Sequence, residues 1–239
     1  MLENNVTPCR ENAITELEGM LVADEYELRL IEDTLQSRAV LELESKAVWR
    51  VVYVAHGAAT VAGQGVAADQ AAYAHGNAEI LAGEAGAAIW RWELSPIGDS
   101  PIPVAGRHSS SRTKVSAPIE RPGASSVLMR ADSVTFPPGG CAYLHTHQGP
   151  GIRSLIEGGI RIDTEGASTS FAPGGAWFES GPAPVFAQAA QDRSTRFIRV
   201  MILPADLKGR SSITYVNAED RDKPKSQRYK GYLDEIITL

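Results

Sequence analysis

Apolar residues in this chain recur with a period of two or in short continuous runs, and Gly, Pro and Asn separate the runs. Ala39–Leu43, Val48–Val54, Ala58–Val61, Ile89–Leu94, Val127–Arg130, Ser133–Phe136, Arg153–Ile156, Gly159–Ile162 and Arg196–Leu203 each predict a strand. Many short strands at close spacing favour a sandwich, barrel or jelly roll over βαβ units. Helical periodicity is scarce, with one candidate helix near Ala13–Leu21. Two phrases run alike, WRVVYVAHGAATVAGQGVAADQAAY and IRSLIEGGIRIDTEGASTSFAPGGAWF. Each reads as strand, Gly turn, strand, loop, Gly/Asp turn and aromatic strand, a weak internal repeat. Residues 96–123 are rich in Pro, Ser and Gly and predict a linker between two halves. The expected organisation is an arm over 1–22, a first barrel over 23–95, that linker, a second barrel over 124–205 and a polar tail over 206–239. The tail is able to add an edge strand or wrap a neighbour.

A length of 239 residues with 43% hydrophobic content suits one large or two small domains. The 29 acidic and 23 basic residues leave a net charge of −6, which argues against nucleic-acid or anionic-membrane partners. No apolar run approaches the roughly 18–20 residues of a membrane span. The N-terminal MLENNVTPCRENA lacks an apolar signal core, so a cytoplasmic location is the expectation. Cys9 and Cys141 form no CxxC motif and imply no disulfide framework.

The chemistry concentrates in PPGGCAYLHTHQGPGIRSLIEGG, where His145 and His147 are separated by one Thr. Residues i and i+2 of a strand share a face, so two imidazoles can point into one cavity and share a metal ion. Imidazole suits Zn, Cu, Fe and Ni. Pro137 to Gly140 make a turn before this strand and Gly149 to Gly151 one after it. The bland alternative is two ordinary strand histidines. Alternation also predicts that Cys141 and Tyr143 share the histidine face. Arg153 follows Gly151 inward by parity, and a buried guanidinium would bind a substrate carboxylate in a bidentate way. Its alternatives are an outer-face position or pairing with Glu157 or Glu179. Tyr143, Trp177, Phe178 and Phe186 are candidates for lining a pocket, or simply core. Arg193, Arg196 and Arg199 read as partly solvent-facing strand positions.

These residues resemble the cupin superfamily. Gly140, His145, His147 and Gly158 match its first motif, and Gly166 with Pro173-Gly174-Gly175 matches the turn of its second. The likeness is good over Val127–Leu203 and faint over Leu28–Leu94, so the whole chain is similar to a bicupin. The resemblance implies an all-β protein of two double-stranded β-helix (jelly-roll) barrels, with a metal inside the second. It also implies a homodimer.

Two family ligands do not carry over. The position of the family's Glu is Gly151, and that of its second-motif His is Phe178 or Phe186. Glu179 is the preferred third ligand and Gln148 the other candidate. Two His and one carboxylate resemble the facial triad of non-haem iron oxygenases. The first half has Leu41-Glu42-Leu43-Glu44 at the His-x-His position, with His56 in a turn opposite Glu157, so it is expected to carry no metal.

The functional expectation is a metal-dependent enzyme, similar to cupin dioxygenases, acting on a small aromatic or carbonyl-bearing organic acid. Fe, Zn, Ni or Mn would sit on His145, His147 and Glu179, with Arg153 and Glu179 in catalytic roles and Tyr143, Trp177 and Phe186 around the bound group. The alternative is a non-catalytic small-ligand-binding or sensing bicupin, and a storage-type bicupin is third.

Overall fold

The computed structural model describes residues 25–45, 47–98, 108–120 and 123–239, so the arm over 1–22 and the helix near Ala13–Leu21 lie outside it. The strands of the first half are β1 Glu25–Leu35, β2 Val40–Leu43, β3 Trp49–Val61, β4 Gln64–Ala67, β5 Gln70–His75, β6 Ala78–Pro96 and β7 Ser109–Glu120. Those of the second are β8 Ser126–Phe136, β9 Cys141–His147, β10 Gly151–Glu157, β11 Ile160–Thr164, β12 Ala167–Phe171, β13 Ala176–Glu179, β14 Val185–Ala189, β15 Thr195–Pro204, β16 Ile213–Tyr215 and β17 Arg228–Thr238. The helical residues among those described are two short 3-10 turns, Ala205–Leu207 and Ala218–Asp220. The protein is all-β.

Strand pairing reveals one jelly roll built twice. In the second half, β13-β10-β15-β8-β17 and β12-β11-β14-β9-β16 form two sheets of five strands each. In the first half the same neighbours recur with two strands run through. The first part of β3 pairs β5 and its last part pairs β4, as β10 pairs β13 and β11 pairs β12. Likewise β6 pairs β2 early and β1 late, as β14 pairs β9 and β15 pairs β8. The register shifts at Val54/His56 against β6 and at Leu155/Glu157 against β15. A glycine at positive φ follows each shift, Gly57 at 78° and Gly158 at 86°. A Cβ there would come within 2.2 Å of the Gly86 oxygen or 2.3 Å of the Ser194 oxygen, so only glycine lets the chain bend between sheets.

Two sequence readings are corrected, the linker and the His56 turn. The segment 96–123 is not all linker: β7 pairs with β1 along its length. Only Ala117 and Ile119 of β7 are buried, so a polar edge strand had the composition of a loop. The tail over 206–239, expected to add an edge strand, supplies β16 beside β9 and β17 beside β8 at one edge of each sheet. His56 stands within β3, at its bulge, rather than in a turn.

The two halves pack back to back. Leu28, Leu30, Val51, Tyr53, Trp92 and Leu94 of one half meet Val127, Met129, Ile152, Ile198, Val200 and Ile202 of the other in a single apolar cluster. Burying each such side chain contributes about 1.5–3 kcal/mol. Trp92 Nε1 donates to the Ile152 carbonyl at 3.1 Å across this seam. Intervening residues of the same strands point into the barrels, where separate apolar clusters form. Strands β8, β10 and β15 are therefore covered on both faces.

The first barrel holds buried charges where no histidine pair exists. Arg91 grips Asp33 at 2.9 and 3.1 Å, and Arg50 and Arg29 each reach Glu93 at 2.7 Å. Burial would raise the Glu93 carboxyl, but the charges of Arg91 and Arg50 outweigh it and hold it below the usual range. At the barrel seam, Asp69 accepts from Tyr53 at 3.0 Å, Tyr232 at 2.6 Å, Arg196 at 2.7 Å and Lys230 at 2.8 Å.

Replacing Glu93 by Ala should cost about 3–5 kcal/mol in denaturant unfolding, because three buried guanidinium groups lose their common partner. The Asp69 clamp predicts two pH limbs. Burial raises the Asp69 carboxyl, but bonds from Lys230, Tyr232, Arg196 and Tyr53 bring it well below its ordinary value. Burial, then Asp69, push the Tyr232 hydroxyl up to about 12. Stability should thus fall below about pH 4, where unfolded aspartates take protons that folded Asp69 refuses, and above about pH 10, where unfolded tyrosines ionise first. In Asp69→Asn the acid limb should flatten when urea midpoints are compared across pH.

Candidate functional site

The site forms inside the second barrel. His145 and His147 from β9 are each 5% exposed, with ring centroids 4.9 Å apart and planes at 84°. Arg153 from β10, Glu179 from β13 and Arg199 from β15 join them around a cavity of about 20 Å³. That is room for one water molecule or one ion. Val134, Phe136, Ile162 and Phe197 supply its apolar walls.

Each imidazole is tied through Nδ1, His145 to the Tyr143 carbonyl at 2.6 Å and His147 to the Ser212 hydroxyl at 3.3 Å. This leaves Nε2 as the uncommitted nitrogen of both rings. Burial lowers the His145 pKa, and burial together with the Arg153 and Arg199 charges lowers that of His147 further. Both rings are therefore neutral at neutral pH. The Glu179 carboxylate receives Trp177 Nε1 on Oε1 at 2.8 Å. Its Oε2 lies 2.7 Å from Arg153 Nη2 and 3.9 Å from His147 Nε2. The Arg153 contact is an ion pair without hydrogen-bond alignment, so Oε2, Nη2 and Nε all retain unspent bonding capacity. Burial pulls the Arg153 guanidinium down to about 10, which leaves it charged at neutral pH. Its Nη1 donates to the Gly151 carbonyl at 2.6 Å.

Gly151 explains why the site departs from the family pattern. A Cβ at this position would lie 2.6 Å from the Val200 oxygen and 3.0 Å from Arg153 Nη1, so no Glu fits. Glu179 stands directly opposite Gly151 in the β10–β13 pair, and its carboxylate enters from the neighbouring strand instead.

The structure brings His145, His147, Arg153 and Glu179 together, but not all the predicted aromatics. Tyr143 leaves the cavity because the β9–β14 register shifts between His145 and Ala142, which puts Ala142 rather than Tyr143 on the inner face. The Tyr143 ring instead lies 5.3 Å from Lys223 Nζ, and only its carbonyl serves the site. Cys141 is displaced by the same bulge. Phe186 faces outward, since Val185, Ala187 and Ala189 take the inner positions of β14. Trp177 stacks on Phe171 at 4.8 Å and holds Glu179 without lining the cavity. Gln148 is exposed.

Arg199 is a correction in the other direction. It is 8% exposed and grips Asp132 at 2.6 and 3.0 Å. The Asp132 charge outweighs burial and raises its pKa. Its surroundings, Phe-Ile-Arg-Val-Met-Ile, were the available signal: a strand apolar on both faces has no solvent side for a charge. Ser212 and Tyr229, contributed by the tail, carried no signal in sequence.

Among the described residues, no three ligating side chains stand preassembled as a metal cluster. The donor set nonetheless fits a divalent ion, with two neutral imidazoles and one buried carboxylate oxygen lacking a hydrogen bond.

No family model matches the chain, and no curated protein matches it in sequence. Solved structures do match. An oxalate decarboxylase from Bacillus subtilis is 14% identical, covers 88% of this chain and 75% of its own, and superposes with a TM-score of 0.59. Another structure of that enzyme, described by its Mn(II) centres, gives 0.58 at the same identity and coverage. A putative glyoxylate-induced protein from Pseudomonas aeruginosa is 14% identical over 74% of both chains, with a TM-score of 0.51. AerE from Microcystis aeruginosa is also 14% identical, over 75% of this chain and 88% of its own, at 0.50. At such identities the likeness speaks for architecture alone, and together with the duplicated strand pairing it establishes that this chain has the two-barrel cupin fold.

Proposed function

We propose that the second barrel binds a divalent first-row metal ion on His145, His147 and Glu179 and receives a small organic acid beside it. One observation carries this reading. Both Nδ1 atoms are bonded elsewhere, which leaves the two Nε2 atoms and Glu179 Oε2, ion-paired to Arg153 but without a hydrogen bond, around one small cavity. Fe, Zn, Ni and Mn all suit imidazole with carboxylate, and the Mn(II) centres of the Bacillus subtilis decarboxylase lend support to a divalent ion in a barrel of this fold. When bound, such an ion supplies Lewis-acid polarisation of a substrate oxygen.

The chain's own residues do the rest. Arg153, 2.7 Å from Glu179 Oε2, holds that carboxylate at the cavity wall and keeps a positive charge beside the ion site. Trp177 holds Glu179 through Oε1, which keeps Oε2 directed at the cavity side shared with His147. The apolar walls exclude water and so strengthen every polar contact inside. A dioxygenase acting on a small aromatic or carbonyl-bearing acid is one enzymatic form of this reading.

A second reading has its own observation. Arg153 Nη2 already lies 2.7 Å from Glu179 Oε2, so the guanidinium supplies the counter-charge that an ion would. In that case the barrel binds an organic acid without metal.

Elemental analysis of protein purified without added metal separates the two. The first reading expects a stoichiometric first-row metal that disappears in His145→Ala and in Glu179→Ala, and metal-free wild type would refute it. A second test uses Arg153→Gln, which leaves Glu179 buried and unpaired. Its apoprotein should lose about 3–5 kcal/mol of stability. Added Mn²⁺ or Zn²⁺ should restore most of this loss in thermal melts, whereas no recovery would favour the metal-free binder.

A further inference from the structure

A second cavity adjoins the site. It has a volume of about 540 Å³ and lies between β8, β17 and the segment 209–213 that leads into β16. Small-molecule pockets are commonly about 300–1,000 Å³. The inner cavity of about 20 Å³ has room for little more than one ion or water, so the body of any organic ligand must lie elsewhere. Arg199, Ile213 and Tyr229 line both spaces and form the wall between them.

We propose that the outer pocket binds a small organic carboxylate, with the anionic end on Arg199 and an apolar body along Tyr229, Tyr232 and Leu233. Asp132 occupies Nε and Nη2 of Arg199 and fixes the guanidinium in place. Nη1 has no hydrogen-bond partner among the described residues. The Tyr229 ring sits 5.5 Å from the guanidinium carbon, and Tyr229 itself is 52% exposed, so it can move without disturbing the core.

The other pocket arginines are committed. Arg130 reaches Asp234 and the carbonyls of Leu207 and Arg210, which holds the 207–210 segment against β8. Arg210 pairs with Asp206. Each pocket arginine has an aspartate partner, so what favours an anion is the free edge of Arg199 rather than a net charge. Ser212 lines the same pocket and bonds His147, so an occupant here touches the support of the inner site.

This site deepens the organic-acid part of the proposed function and does not depend on the metal. Its test is calorimetric titration of the full chain with benzoate and hexanoate, with benzamide as the uncharged control. At least one carboxylate should bind saturably, with benzamide weaker by roughly tenfold or more. Gly231 lines the pocket, and a Cβ there meets nothing within 4 Å. Gly231→Trp should therefore fill the pocket and abolish carboxylate binding, with melting temperature and metal content unchanged. Arg199→Lys keeps a charge for Asp132 but loses the planar fork, and should weaken binding by roughly tenfold. No saturable binding of either carboxylate, equal binding of benzamide, or binding undiminished in Gly231→Trp overturns the proposal. Metal-free protein that still binds benzoate in this way would sink the metal reading and leave the pocket standing. Stoichiometric metal without carboxylate binding would do the reverse.

Discussion

The sheet formed by β8, β10 and β15 has no solvent face, and the chemistry of the protein follows from that. Its outer surface, carrying Met129, Ile152, Val200 and Ile202, is spent on the other barrel. Its inner surface carries Asp132, Arg153 and Arg199. A charge placed there is largely shut off from bulk water, so it is best neutralised by a partner inside the barrel or by something the barrel binds. Asp132 grips Nε and Nη2 of Arg199, whereas Arg153 and Glu179 meet without hydrogen-bond alignment. The unfinished pairing is where a guest can gain most.

Charge balance sharpens the point. Arg153 and Arg199 offset Glu179 and Asp132, and both histidines are held neutral by burial and by those same arginines. The site is thus balanced without a guest. A divalent cation would make it positive, which an organic anion at Arg199 would relieve. On the proposed function cation and anion would thus be favoured together, a physical reason for a barrel that carries two arginines beside two neutral histidines.

Duplication supplies the scaffold, and the copies have diverged by charge placement. Two positions beyond the bulge partners Ile89 and Phe197 stand Arg91 and Arg199, each gripping an aspartate in bidentate fashion. In the first copy further charges complete the set: Arg29 and Arg50 close on Glu93, and the strand equivalent to the His-x-His strand is Val40–Leu43. In the second copy β10 carries Gly151 opposite Glu179, and Glu179 and the histidines reach the interior. One barrel became a sealed electrostatic core and the other a cavity.

Period-two patterning, the Gly and Pro punctuation and the repeated phrase determined the strands, the two halves and the inward histidine pair, because these signals are local and face alternation needs only neighbouring residues. Arg153 was legible by the same parity, and Glu179 by its place on the Trp-Phe-Glu strand. Parity failed where the ladder is irregular: the β9–β14 bulge turned Tyr143 away, and no composition announces a bulge. The polar strand β7 passed for a linker because an edge strand needs few apolar residues. Arg199, Asp132, Ser212 and Tyr229 lie far apart in the chain, and only the packing of one barrel on the other and the return of the tail along β8 brought them to the cavities. Which face of a doubly covered strand is interior, and which distant side chain completes a charge pair, depend on long-range contacts that no short stretch of sequence contains.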